Sequence, residues 1–219
     1  MASVREEDQL SDVCLDPGLA ETLLSYLEEG RGRERGGVLL GSRGGEKVSI
    51  GGAVFPPQLA EATDHCAFDV SCIDTIRQAM TSLESPEIKR IAGTIVGWVH
   101  SHPGHGLFLS RTDRETFAAW IQLDDKAIAM VADPFLRRRP DQRIAWWHKE
   151  RQGRHVAFED LGSDVMTLRA ASGVAEAISD TARDGRVWDV LAPRCIIRLF
   201  PAAGAPAARI TSSEPDHPE

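Results

Sequence analysis

The chain has no Cys-x-x-Cys pair and no apolar run near the ~18 residues a membrane span requires, and its basic residues do not outnumber its acidic ones. Each absence excludes a class. Four scattered cysteines, Cys14, Cys66, Cys72 and Cys195, offer neither a disulfide framework nor a four-sulfur zinc site. A formal net charge of -8 speaks against a nucleic-acid or acidic-membrane surface. Arg137-Arg138-Arg139 is the tightest basic cluster, read as a solvated loop, with a contact to an acidic partner as the lesser alternative. Residues 1 to 12 are polar and acidic, unlike a signal peptide, so the expected compartment is a reducing cytoplasm. No internal repeat is visible. At 219 residues the chain can bury a full core and still carry an extension.

What is present alternates helix and strand. Asp16-Pro17 opens a first helix, with Leu19, Leu23, Leu24 and Leu27 at helical spacing and Gly30 and Gly32 ending it. Gly37 to Gly41 reads as a short buried strand, Arg43 to Glu46 as a hairpin turn, and Lys47 to Phe55 as the returning strand, stopped by Pro56-Pro57. A second helix is predicted over 70–82, a loop over 83–93, and an apolar strand over 94–99. A third helix starts near Ser110 with Phe117, Trp120 and Ile121 as its stripe, followed by strands at 127–131 and 143–148. Past residue 152 the pattern weakens. Helical character returns over 164–183, apolar residues at 187–188 and 195–200 can pack onto the domain, and Ala, Gly, Pro and Ser dominate from 201, as in a disordered tail. The expected class is α/β (α+β), a mixed sheet flanked by helices.

The chemistry concentrates in Val99-His100-Ser101-His102-Pro103 and the Ser110 and Asp113 that follow. Side chains on a strand alternate, so His100 and His102 point to one side. With Asp113 they supply three corners of a tetrahedral site whose fourth is open to water. A structural reading stands beside this one. Paired histidines arise by chance, and Ser110-Arg111-Thr112-Asp113 is also a capping box. Asp113 nevertheless heads the apolar stripe that continues at Phe117 and Ile121, and a buried carboxylate needs a cation or strong donors. Ser110 could cap the helix, donate to an oxyanion, or have the two tasks compete for one hydroxyl. Glu34, before Gly37-Val38-Leu39-Leu40-Gly41, reads alone as a surface acid after a Gly-rich turn.

Together these positions resemble the JAMM (MPN+ or JAB) metalloprotease family. Glu34 followed by Gly37, Leu39 and Gly41 resembles the start of that domain, and His100-x-His102-Pro103, Ser110 and Asp113 are similar to its signature. The resemblance covers roughly residues 13–150. It implies a JAB/MPN domain over 13–151, an extension of unknown role over 152–200, and the tail over 201–219. It implies that His100, His102 and Asp113 bind Zn2+, that Glu34 is the general base, and that Ser110 stabilises the oxyanion. The implied activity is a deubiquitinase-like isopeptidase, cutting after the Gly-Gly tail of a ubiquitin-like protein. The compact domain is similar to prokaryotic members, which accompany ubiquitin-like, E1-like and E2-like proteins, including in phage defence. Alternatives are a zinc peptidase acting on a sulfur carrier or small peptide, and a non-catalytic scaffold. The family's two insertions would map to 83–93 and 135–143; both spans are short, and the second lacks the Cys/His set for another zinc. Of the remaining candidates, His105 reads as a solvated loop residue, Trp98 as core, and His65 and Cys66 as loop.

Overall fold

The computed structural model describes residues 12–149, 151–153, 156–161 and 164–203. Strand β1 (Asp12–Leu15) leads into α1 (Pro17–Glu28). Asp16 caps that helix, its carboxylate accepting from Gly18 N at 2.8 Å and Leu19 N at 3.2 Å, with proline in the first turn. Strands β2 (Gly36–Gly44) and β3 (Lys47–Phe55) form the expected hairpin, longer at both ends of its first strand, and Gly45 at φ +61° supplies the turn. Next come β4 (Gln58–Glu61), β5 (Cys66–Phe68), α2 (Ser71–Ser82), α3 (Pro86–Ala92) and β6 (Thr94–Ser101). The chain continues through α4 (Arg111–Leu123), β7 (Ile128–Ala132), β8 (Ile144–His148), β9 (Arg151–Gly153), β10 (Ala157–Phe158) and α5 (Asp164–Thr181). It closes with the hairpin β11 (Trp188–Ala192) and β12 (Cys195–Leu199).

Among the described residues the main sheet runs β10-β1-β3-β2-β6-β7-β8-β9, with β11 added to β3 beyond the end of β1 and β12 outside it. The sheet is mixed: β1 with β3 and β6 with β7 are parallel, while β2 is antiparallel to both β3 and β6. It carries a core on each face. Leu19, Leu23 and Leu27 of α1 pack on one side against Leu39, Ile50 and Val99. Residues of α2, α4 and α5, among them Ile76, Trp120 and Ile178, pack on the other with Val38, Trp98 and Val131. This is the α/β class expected, helices on both faces of a mostly buried sheet. No helix among the described residues is long and apolar enough to cross a membrane.

Two local expectations are corrected. The span 83–93 is not a loop throughout: Ser85 caps α3, Pro86 occupies its first turn, and Glu87 and Lys89–Arg90 sit at the ends that suit their charges. The Ser-Pro-Glu run that stops α2 therefore also starts α3. Cys66 is not in a loop but opens β5, which pairs with β4 around the His65 turn; these strands are too short to show an alternating pattern. The expected tail lies, from residue 204 on, outside the described residues.

Candidate active site

The site grows from register. Gly36 of β2 sits opposite His100 of β6 in an antiparallel pair. Continuing that register sets Arg35 against Ser101 and Glu34 against His102. The chain follows it beyond the strands: Ser101 N donates to Arg35 O at 3.1 Å, and Arg35 N donates to the Ser101 hydroxyl at 3.0 Å. Glu34 N donates to Ala62 O at 2.6 Å, tying the acid to the β4–β5 hairpin. Arg35 holds the bend from outside, its Nε on Glu61 at 3.1 Å and its Nη1 on Tyr26 O at 3.2 Å.

The other wall is a β6–α4–β7 crossover. In such units functional groups collect where the strand ends and the helix begins. His102 N still pairs with Ala132 O at 2.9 Å, so the second histidine is an extension of the strand. Ser110 caps α4 in a reciprocal box: its Oγ accepts from Asp113 N at 3.1 Å, and Asp113 Oδ2 accepts from Ser110 N at 2.7 Å. The capping box and the inward-facing acid are thus one arrangement. The cap fixes the Asp113 rotamer and leaves Oδ1 and part of Oδ2 for the histidines.

His100, His102, Asp113 and Glu34 are 1%, 3%, 9% and 6% exposed. His100 Nε2 lies 3.0 Å from His102 Nε2, 3.2 Å separates His100 Nε2 from Asp113 Oδ1, and 3.3 Å separates His102 Nε2 from Asp113 Oδ2. Metal–ligand bonds of 2.0–2.1 Å in a tetrahedron set its edges at roughly 3.3 Å. Each histidine nitrogen stands at about that spacing from its own Asp113 oxygen, and one donor atom from each residue, all within 4.8 Å of one another, makes up the face of a group able to hold a metal ion. Glu34 Oε1 is 3.9 Å from His102 Nε2, beside that face and not part of it.

Electrostatics support the same arrangement. Burial disfavours the His100 imidazolium and lowers its pKa, so the ring is kept in the neutral form a metal needs. Burial opposes ionisation of Asp113, but the hydrogen bonds from His100 and His102 outweigh it and hold the carboxyl well below the usual range. Glu34 is pushed up to about 7, mainly by burial, with Asp113 and Asp64 adding to the rise against the opposing pull of His102. Burial also pushes the Cys66 thiol well up, so it stays protonated.

The imidazoles are aligned by ring contacts. Trp98, two residues before His100 on the same face of β6, stacks on it at 4.5 Å with planes 6° apart. Phe108 lies 4.7 Å from His102. Both Nδ1 atoms are buried and find no protein partner among the described residues. A cleft of about 570 Å³ opens over the cluster between the β4–β5 hairpin and α4, lined on its far side by Phe68, Ile73 and Trp120. Ser110 lines it, as do His105 and His65, both read as loop residues, and Cys66. Trp98, Ser101, Phe108 and Asp133 shape the site without having been singled out for it. The period-two alternation of β6 marks Trp98, whereas nothing local marks Ser101 or Phe108.

Comparison with known proteins agrees with this geometry. A family profile described as prokaryotic homologs of the JAB domain matches residues 17–149, more than half of the chain, and the chain belongs to that family. Among curated proteins it is similar to the 26S proteasome regulatory subunit RPN11 of Eremothecium gossypii, 50% identical over 40 residues, which is 18% of this chain and 13% of the relative. The ubiquitin carboxyl-terminal hydrolase RPN11 of Saccharomyces cerevisiae matches to the same extent, 50% over 40 residues. RPN11 of Encephalitozoon cuniculi is 40% identical over 68 residues, 30% of this chain and 22% of the relative. The chain thus spans only 13% to 22% of the length of these relatives.

Proposed function

We propose that the protein is a zinc-dependent isopeptidase that cuts after the C-terminal tail of a ubiquitin-like protein, releasing it from a lysine or trimming its precursor. The observation that carries the reading is the convergence of His100 Nε2, His102 Nε2 and Asp113 at 3.0 to 3.3 Å with the Glu34 carboxylate alongside. One similar protein is named a ubiquitin carboxyl-terminal hydrolase, which supports the substrate class.

In this reading His100, His102 and Asp113 hold the ion, and Zn2+ when bound lowers the pKa of a water to about 7 and polarises the scissile carbonyl. Glu34 takes a proton from the attacking water and returns it to the leaving nitrogen, as general acid–base work requires. The Ser110 Oγ accepts from the backbone as a cap, and its hydroxyl, which also lies against the Asp113 carboxylate, is the group assigned to donate to the oxyanion. The catalytic unit is residues 13–151, extended by 152–200. The setting that fits is a cytoplasmic, prokaryotic conjugation or phage-defence system with E1-like and E2-like partners.

The test offers zinc-loaded protein two substrates, a Gly-Gly-lysine conjugate and a linear precursor fusion, with and without chelator, reading the cut by mass spectrometry. Cleavage after the terminal glycine, lost on chelation and restored by zinc, is expected. Failure to cut either substrate overturns the proposal, and cleavage of the fusion alone assigns the protein to precursor or sulfur-carrier processing.

A further inference from the structure

Asp133 follows β7 and is 1% exposed, and among the described residues its carboxylate hydrogen-bonds to Gly104, Gly106 and Phe135 and not to His100, His102 or Asp113. Its carboxylate is fully engaged with backbone. Oδ1 accepts from Gly104 N at 2.9 Å and from Phe135 N at 3.0 Å, and Oδ2 accepts from Gly106 N at 2.9 Å. Gly104 and Gly106 have φ of +78° and +89°, the left-handed conformations that let alternate N–H groups of one short loop face a single anion. That loop runs from His102 to Ser110. It carries Phe108, which packs on the His102 ring, and it ends at the cap that fixes Asp113. Asp133 is itself immobilised: its N donates to Arg143 O at 2.9 Å, and the Arg143 guanidinium returns to the carbonyls of Asp133 and Pro134.

A metal-bound histidine is usually aimed by a hydrogen bond on its other ring nitrogen. Here both Nδ1 atoms lack a protein partner among the described residues. Away from the edge that His102 turns toward His100 and Asp113, its aim comes from its backbone and from Phe108, and both belong to the segment that Asp133 clips. The geometry points to Asp133 as the positioning residue of the metal centre, acting through the Gly104–Gly106 turn to hold His102 and the Ser110 cap in register. The inference rests on the zinc-site reading above.

The test is zinc affinity by competition with a chromogenic chelator, together with the visible spectrum of the cobalt(II) form. In Asp133→Asn the amide nitrogen replaces one acceptor and faces an N–H. The zinc dissociation constant should rise ten- to a hundred-fold, the range typical of outer contacts to metal ligands, and the cobalt bands should shift. Gly104→Ala places a Cβ in open space, so backbone strain acts alone; a smaller rise in the same direction is expected. Val190→Ala, a cavity in β11, should lower the melting temperature and leave zinc affinity unchanged. Wild-type affinity and spectrum in Asp133→Asn, or an equal loss in Val190→Ala, overturns the inference. If Asp133→Asn does not fold, Gly104→Ala decides, and unchanged zinc affinity there is the overturning result. Wild-type protein that takes up no zinc, or that keeps it in His100→Ala, counts instead against the metal site itself.

Discussion

The two walls of the cleft are built differently. The metal wall is local: His100, His102, Ser110 and Asp113 lie on one strand end, one loop and one helix start, clipped by Asp133 just after β7. The Glu34 wall is assembled from distant parts. It draws on Ala62, Ser101, Glu61 and the backbone of Tyr26, and Glu34 itself lies outside any strand. Local construction suits ligands that must meet a common point within tenths of an ångström. Distributed construction places a carboxylate near that point without making it a fourth ligand, which is what the proposed role of Glu34 as general base beside an open coordination position requires. The two walls should therefore fail separately.

His100→Ala is the most severe way to separate them. It removes a ligand from the face of three, so tightly bound zinc, measured on freshly purified protein, should fall from about one equivalent to none, with turnover falling below detection. Chelating the wild type should reproduce this and lower the melting temperature, because a ligand at a hundred times its dissociation constant stabilises the fold by about 2.7 kcal/mol. A chelated protein that still cuts would end the zinc reading.

Glu34→Gln tests the other wall with the metal in place. It preserves shape and burial but removes the proton acceptor, and turnover should drop ~10²- to 10⁴-fold, the usual contribution of a general base. Zinc content should be unchanged, since Glu34 stands 3.9 Å from His102 Nε2 and outside the donor face. Loss of zinc in this variant would make Glu34 a ligand and erase the distinction between the walls.

Ser101→Ala cuts the seam where they meet. The Ser101 hydroxyl is buried and accepts from Arg35 N, so its loss leaves a donor unpaired at a cost of about 1–3 kcal/mol. In a chain of this size that is a fall of about 2–4 °C in melting temperature per kcal/mol. Turnover should fall more than zinc affinity, because the bend that carries Glu34 loosens while His100 and His102 keep their pairing with β7. The reverse order would place the weak point in the metal wall.

The same contrast explains what the sequence made legible. The metal wall could be read from residues 100–113 because strand alternation, the cap and the apolar stripe of α4 are all short-range patterns. Glu34 carried no local signal and read as a surface acid. Its place follows from the pairing of Gly36 with His100, a tertiary fact, and only the family resemblance anticipated it. Asp133 carries no local signal, since nothing nearby in sequence says that its carboxylate reaches Gly104 and Gly106. Helices with strong periodicity were found within a residue or two. The short α3 and the β4–β5 hairpin were not, being fixed by packing and pairing and not by pattern.

The smallest expected effect lies farthest from the cleft. Tyr26 O–H donates to Asp189 Oδ2 at 2.9 Å, joining α1 to β11, and Asp189 is also held by Arg198 Nε at 2.8 Å. Tyr26→Phe removes one of these partners and leaves the carboxylate its arginine, so the loss should be about 1.5 kcal/mol, the low end for a hydrogen bond to a charged group. The ring is retained, with the Arg35 guanidinium 4.9 Å from its centroid, and so is the Tyr26 carbonyl that accepts from Arg35. The bend before β2 thus keeps every contact that places Glu34. Thermal melting should register the change, while turnover and zinc affinity stay at wild-type values. A fall in turnover with melting unchanged would mean that the Glu34 wall extends through Tyr26 into the β11–β12 hairpin, and that residues 188–199 belong to the catalytic apparatus as well as to its support.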